Sequence, residues 1–320
     1  MSGSVIVERP GTLMSVQDRG RPGLLSFGIS GSGAMDQGAL AIANALVGNA
    51  DNAAGLEFAI AGGALTVDRD CLVAVTGGAR DVRIGEKKAW GWQSYRLRRG
   101  ERFAVGALGG AVWGYVAISG GIDVPPVLGS RATHLRSAIG GCEGRVLVAG
   151  DRLPLGPEPG GAPRVLRVPY RHGRGPVRIV PGPQDDYFDA TAWRTFLSNT
   201  YLVTAKRDRM AMVLDGPPLA AAKGHDIVSD ATVFGSIQVP SSAQPIVLTA
   251  DRQTTGGYPK IATVASADLA RLVQTPSGAA IRLQRISQDA AEELLLSEQA
   301  NLHAVLESLQ SAAERADAEN

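Results

Sequence analysis

Apolar residues in this chain come mostly in short runs that mix β-branched side chains with alternating polar positions, and glycine, proline or aspartate separates one run from the next. Residues 64–67, 71–76, 112–118, 145–148, 177–180, 237–239, 246–249 and 280–284 are such runs. Alternation with period two predicts half-buried strands. Few long helical patterns intervene, so the pattern points to antiparallel barrel or sandwich structure rather than a doubly wound parallel sheet. One early helix is predicted over 37–47: Asp36 caps it, Leu40, Ala43, Leu46 and Val47 share a face, and Gly48 stops it. Shorter helices are predicted over 189–197 and 268–273. The end of the chain differs. From Ser287, an N-cap candidate, it runs without proline or glycine, and Leu295, Leu302, Leu309 and Ala316 recur every seven residues. That spacing predicts a long amphipathic helix. Glu298 interrupts the stripe, which leaves packing on the body and pairing with another chain both open.

Composition narrows the class. The 320 residues are 44% hydrophobic and 20% charged, a globular balance that excludes wholesale disorder. The forty glycines fall in pairs and triplets between apolar segments, as turn punctuation. The formal charge of +1 disfavours a nucleic-acid binder, no apolar run approaches the ~20 residues a membrane helix needs, and an acid, an arginine and a proline stand where a signal peptide is apolar. A cytoplasmic protein is expected. The charge is unevenly spread. Residues 288–320 hold eight acids and one base, which leaves 31 bases and 23 acids for the rest. A basic body suits anionic ligands or is simply a solvated surface. The proline- and glycine-rich stretch 156–175 marks a domain boundary, giving domains over 1–155 and 176–286 and an acidic helix over 287–320.

Several chemistries are excluded. Cys71 and Cys142 lack CxxC partners and the four histidines form no HxxxH or HxH pair, so neither a disulfide scaffold nor a histidine metal site is expected. There is no GxxxxGK[ST] phosphate loop, and the glycines at 28–33 lack dinucleotide-loop spacing. Ser119 in AISGG lacks the first glycine of a nucleophile elbow. The absence of an MKM tripeptide means that the chain carries no covalently bound biotin.

The most informative stretch is 246–260, IVLTADRQTTGGYPK. A short apolar strand delivers Asp251, Arg252, Gln253, Thr254 and Thr255, then Gly256-Gly257-Tyr258-Pro259-Lys260. Adjacent Asp and Arg supply an acceptor and a forked donor suited to carboxylate or ureido groups, and a surface ion pair followed by a turn fits equally well. A second cluster is Gln17, Asp18, Arg19 and Arg21; a third is Asp36, Asn44, Asn49 and Glu57. Asn44 on an apolar helix faces a polar pocket or is a satisfied core amide.

Together these blocks resemble the biotin-dependent carboxyltransferase family, which includes the C-type subunit of prokaryotic 5-oxoprolinase, allophanate hydrolase subunit 2 and part of the carboxyltransferase domain of urea carboxylase. The resemblance rests on VQDRGRPG (16–23), SGSGAMD (30–36), IANALVGN (42–49), GLE (55–57), SGGIDVPPVLGSRAT (119–133), GGCEGR (140–145), PGPQ (181–184), DRM (208–210), SIQVP (236–240) and ADRQTTGGYPKIA (250–262), and covers about residues 5–286. Ala211, Met212, Ala243 and Cys142 depart from the family pattern. The resemblance implies a mainly β fold of two cyclophilin-like β-barrel domains with a few short helices. It implies a subunit of an ATP-dependent 5-oxoprolinase that opens 5-oxoproline to glutamate with a cyclophilin-like partner subunit, as heterodimer or heterotetramer, and a TIM-barrel protein. ATP would be used by the complex. The alternatives it leaves are a carboxyltransferase acting from carboxybiotin on urea or a related amide, and a non-catalytic regulator that binds a kinase-inhibitor partner. It implies catalytic roles for Asp251, Arg252 and Lys260, substrate contacts from Asn44, Gln238, Gln253, Tyr258, Arg21 and Glu57, and no metal.

Overall fold

A computed structural model describes residues 3–167 and 170–311. The chain divides into two compact units, one of residues 1–21, 32–170 and 301–320, the other of residues 22–31 and 171–300.

In the first unit the strands are β1 (Gly3–Gln17), β2 (Gly55–Val67), β3 (Cys71–Gly77), β4 (Val82–Ile84), β5 (Lys87–Ala89), β6 (Ser94–Leu97), β7 (Arg102–Ala107), β8 (Trp113–Ile118), β9 (Arg152–Leu155) and β10 (Arg164–Leu166). Nine of them form one sheet in the order β5-β4-β7-β2-β8-β3-β6, with β1 beside β2 and β9 beside β1. Alternation sends Val5, Val7, Leu56, Phe58, Leu65, Val67, Val73 and Val75 into the core, where burial of each large apolar side chain contributes roughly 1.5–3 kcal/mol. β2 changes partner midway: Leu56–Ala59 pair with β8 and Ala61–Thr66 with β7. Ile60 makes that corner at φ +64°. Gly63 (φ +78°) is needed at the neighbouring bulge, because a Cβ there would stand 2.1 Å from the Arg9 carbonyl oxygen. Helix α1 (Gln37–Leu46) packs on β3 and β8. Asp36 caps it by accepting a hydrogen bond from the Ala39 N–H at 3.0 Å, as its sequence position predicts.

The second unit contains β11 (Val177–Pro181), α2 (Ala190–Ser198), β12 (Thr200–Arg207), β13 (Ala211–Asp215), β14 (Asp230–Ala231), β15 (Ser236–Gln238), β16 (Ile246–Leu248), β17 (Thr255–Gly256), β18 (Lys260–Val264), α3 (Ser266–Gln274) and β19 (Ala280–Arg285). Here the barrel closes, in the order β11-β18-β15-β16-β13-β12-β19, with β19 and β11 pairing in parallel. Ile179, Phe196, Tyr201, Val203, Leu214, Ile237, Val247 and Ile261 fill it. β14 and β17 form a separate two-stranded ribbon. The mainly β architecture with short helices is thus as the sequence implies.

Helix α4 (Gln288–Glu307) follows, its Ala290 N–H donating to Ser287 Oγ, and β20 (Leu309–Ser311) pairs antiparallel with β10. Two expectations are corrected. The seven-residue stripe does not continue as helix: Ser308 Oγ donates to the Val305 carbonyl at 2.7 Å, and Leu309 leaves the helix to satisfy the edge of β10. Ala316 lies outside the described residues. The run 145–148 is not a strand, because Asp151 draws it into a turn: Arg145 binds its carboxylate with two nitrogens at 2.8 and 2.9 Å, and the Val148 N–H donates to the same group.

Candidate functional site

Six of the nine residues singled out by sequence come together in the second unit. Register brings them there: Ala211 opposite Leu248 in the β13–β16 ladder sets the turn at 208–210 against the turn at 249–252. The Asp251 N–H donates to the Arg209 carbonyl at 2.7 Å. Sequence adjacency suggests an Asp251–Arg252 pair, but the structure pairs Asp251 with Arg209. Nε and Nη2 of Arg209 donate to Oδ2 and Oδ1 of Asp251 at 3.0 and 2.9 Å, a two-point ion pair whose side chains are 2% and 4% exposed. Arg209 is the residue that sequence reasoning missed. Its signal was the DRM block, noted for resemblance but not for chemistry.

With both oxygens of Asp251 held by Arg209, Arg252 is left for other work. It is buried, its Nε lies 3.5 Å from the Thr232 carbonyl oxygen, and burial lowers its pKa against the pull of Asp251. Thr232 in turn receives the loop: its N–H donates to the Thr254 carbonyl at 3.0 Å and its Oγ1 to the Gln253 carbonyl. Two residues earlier, Asp230 meets Lys260. The Lys260 Nζ, almost wholly buried, forms an ion pair with Asp230 Oδ2 at 2.9 Å. Gln184 Nε2 donates to the same oxygen at 3.0 Å. Lys260 first, then Gln184, bring the Asp230 carboxyl down to about 2.

Gln238 stands directly opposite Lys260 in the β15–β18 ladder. It is 2% exposed, and its Nε2 has no hydrogen-bond partner among the described residues. An unused buried donor is costly, roughly 1–3 kcal/mol, unless something else completes it. Gly256 faces this amide, and a Cβ there would stand 2.3 Å from Gln238 Nε2. Gln253 and Tyr258 lie on the exposed side of the same loop. The ribbon β14–β17 therefore carries one cation on each flank, Arg252 at Thr232 and Lys260 at Asp230, with a free amide donor nearby. Donors outnumber acceptors, which suits carboxylate and carbonyl oxygens.

The other three residues belong to the first unit. Asn44 is the satisfied core amide: its Nδ2 donates to the Ala53 carbonyl at 2.8 Å and its Oδ1 accepts from Asn49 Nδ2 at 3.1 Å. Arg21 is buried and donates from Nη2 to the Ala132 carbonyl. Glu57 is fully buried and accepts the Met35 N–H at 2.7 Å, while the Asp36 N–H donates to the Tyr115 hydroxyl at 2.7 Å. Burial, with the charges of Glu57 and Asp36, pushes the Tyr115 hydroxyl well above its usual range. No group of three or more His, Cys, Asp or Glu side chains suited to a metal ion occurs among the described residues. Nor, among them, is any helix long and apolar enough to cross a membrane.

Residues 27–285 match the family model described as carboxyltransferase domain, subdomain A and B. The C-type subunit of the Escherichia coli 5-oxoprolinase is 38% identical over 286 residues, covering 88% of this chain and 91% of that protein. The urea amidolyase of Lachancea kluyveri is 30% identical over 92% of this chain, which spans 17% of its length. Among solved structures, the urea carboxylase of Kluyveromyces lactis superposes with a TM-score of 0.86 at 26% identity, over 97% of this chain and 29% of its own. Another solved relative is 35% identical with a TM-score of 0.80 over 88% of this chain, and this chain spans 55% of its length.

Proposed function

This chain belongs to the biotin-dependent carboxyltransferase family, and we propose that within it the chain serves as the C-type subunit of an ATP-dependent 5-oxoprolinase. The observation that carries this reading is the end-to-end likeness to the E. coli C-type subunit, which this chain matches over 91% of that protein's length. In this reading the chain acts with a cyclophilin-like partner subunit and a TIM-barrel protein in the cytoplasm. The substrate is a five-membered lactam that carries a carboxylate. Ring opening adds water at the lactam carbon, breaks its bond to nitrogen and leaves a second carboxylate and an ammonium group.

The cluster in the second unit supplies what such a substrate needs from a binding surface. Arg252 and Lys260 offset the negative charge of the carboxylate and of the oxygen that gains charge as the ring opens. Gln238 Nε2 completes its hydrogen bonding on a substrate oxygen. Asp251 and Arg209 are positioning residues that fix the turn bearing Arg252. The sequence has no phosphate-binding loop, so ATP is assigned to the complex and no phosphoryl step to residues of this chain.

A second reading, carboxyl transfer from carboxybiotin to urea or a related amide, is favoured by the superposition on K. lactis urea carboxylase. Mixing the purified chain with the two partner proteins, ATP and 5-oxoproline distinguishes the readings. Glutamate and phosphate released together support the first. Carboxylation of urea that depends on a biotinylated carrier, with no lactam opened, replaces it with the second.

A further inference from the structure

The donors of the candidate site and the acid that meets them belong to different parts of the second unit. Lys260 and Gln238 sit on β18 and β15 of the closed barrel. Gln184 follows β11 and is pinned to the barrel: its Oε1 accepts the Lys260 N–H at 3.1 Å and its own N–H donates to the Lys260 carbonyl at 3.3 Å. Asp230 stands outside the barrel, on the two-residue strand β14 of the ribbon. Residues 216–229, which lead into it, form no helix or strand, and Val228 among them is 92% exposed.

Exposure within the ion pair is just as uneven. The Lys260 side chain is 1% exposed and the Asp230 side chain 44%, and Asp230 is the only acid paired with Lys260 among the described residues. Oδ2 of Asp230 takes Lys260 and the Gln184 amide, while Oδ1 accepts the adjacent Ala231 N–H at 2.8 Å. An ammonium has three donors and no acceptor. Gln238 Nε2, which faces Gly256, the residue paired with Asp230 across the ribbon, adds an unused donor. The barrel thus presents more donors than this one carboxylate uses. A buried ammonium left without an anion is costly, so whatever displaces Asp230 must itself carry negative charge. Turning Asp230 out needs only a side-chain rotation into solvent that already reaches it. The bonds that hold the ribbon, from the Ile227 N–H to the Gly257 carbonyl at 2.9 Å and from the Thr232 N–H to the Thr254 carbonyl at 3.0 Å, stay closed.

We propose that Asp230 is a carboxylate stand-in: it holds the place on Lys260 and Gln184 that the substrate's carboxylate takes, and it yields that place only to an anionic ligand. The inference rests on the reading that this cluster receives the lactam, and it makes Asp230 a specificity-determining residue. A lactam bearing a carboxylate exchanges one anion for another on Lys260 and brings an acceptor to Gln238. A neutral amide such as urea would strand the ammonium and is rejected. The exchange lowers the substrate's apparent affinity, because only the fraction of chains with Asp230 turned out binds it.

The test is calorimetric titration of the full-length chain with cyclopentanecarboxylate and with its neutral isostere cyclopentanecarboxamide, alongside KM for 5-oxoproline in the complex with both partner proteins and ATP. Asp230→Asn should bind the carboxylate about fivefold tighter than the native chain does, with a gain of no more than about twofold for the carboxamide. Adding Lys260→Met should abolish the gain. In the complex, Asp230→Asn should lower KM for 5-oxoproline by about the same factor. A measurement on the native chain needs no variant to fold: saturation with cyclopentanecarboxylate should move the carboxyl carbon resonance of Asp230 to that of an unpaired aspartate. If Asp230 merely positions Lys260, the carboxylate binds Asp230→Asn more weakly and KM rises, which overturns the proposal. So do equal gains for both ligands, no carboxylate binding to Asp230→Asn, or an Asp230 resonance that does not move. A native complex that opens no lactam refutes the functional reading instead, since the titrations ask only which ligand displaces Asp230.

Discussion

Replacing Asp251 by Asn removes the charge that Arg209 faces while keeping the shape of its side chain. Both partners are nearly inaccessible, at 2% and 4% exposure, and the contact has two hydrogen bonds of 3.0 and 2.9 Å. An exposed pair would contribute about 0–1 kcal/mol, but breaking a buried pair from one side strands a charge and costs about 3–5 kcal/mol. Asn still offers one acceptor to Arg209, so Asp251→Asn belongs at the lower end, about 3 kcal/mol. Arg209→Met, which strands the carboxylate, belongs at about 4 kcal/mol. At about 3 °C per kcal/mol for a unit of this size, melting falls by about 9 and 12 °C. The double variant Arg209→Met/Asp251→Asn removes both charges and should cost well under the sum of the two single variants, about 7 kcal/mol. Differential scanning calorimetry of the full chain gives all four corners of the cycle. Single variants costing under about 1 kcal/mol each, adding without coupling in the double, would refute the claim that this pair holds the turn carrying Arg252.

Two further outcomes follow from other features. Asp230, drawn down to about 2 by Lys260, contributes stability at all pH values above the ordinary carboxylate range and loses it as pH falls from about 4 toward 2; Asp230→Asn should flatten that acid limb, and a carboxyl chemical-shift titration should place the Asp230 midpoint below those of unpaired aspartates. Ile60 is held at φ +64° with 61% of its surface exposed, so Ile60→Asn relieves strain while losing little packing and should raise stability by about 0.5–1 kcal/mol in thermal unfolding; a loss of stability would show that the exposed isoleucine makes contacts that outweigh its backbone strain.

Local signals were legible where the chain settles its own structure. The N-caps Asp36 and Ser287 announce their helices because each satisfies a backbone donor within three residues. Strands 71–77 and 113–118 follow from short, nearly continuous apolar runs, and both are buried along almost their whole length. What failed was decided at a distance. Leu309 continues the helical stripe in sequence, but the unpaired edge of β10 offers it backbone hydrogen bonds that helix propensity does not foresee. The partner of Asp251 is 42 residues earlier, and only the β13–β16 register makes them neighbours. The resemblance assembled nine site residues but not their grouping. Arg21, Asn44 and Glu57 are buried in the first unit, where Asn44 and Glu57 accept or donate hydrogen bonds within the fold, whereas Gln238 keeps an unused donor. A buried polar residue in sequence does not reveal whether its partners are already present.

The most direct test of the central claim is kcat/KM for 5-oxoproline in the complex of this chain with its two partner proteins and ATP, compared with the same complex carrying Arg252→Ala. The account predicts equal release of glutamate and phosphate by the native complex. It predicts a drop of about 10²–10³ in kcat/KM for a variant whose assembly and melting are unchanged. A complex that assembles yet opens no lactam would contradict the function proposed, and native turnover by Arg252→Ala would remove this cluster from it.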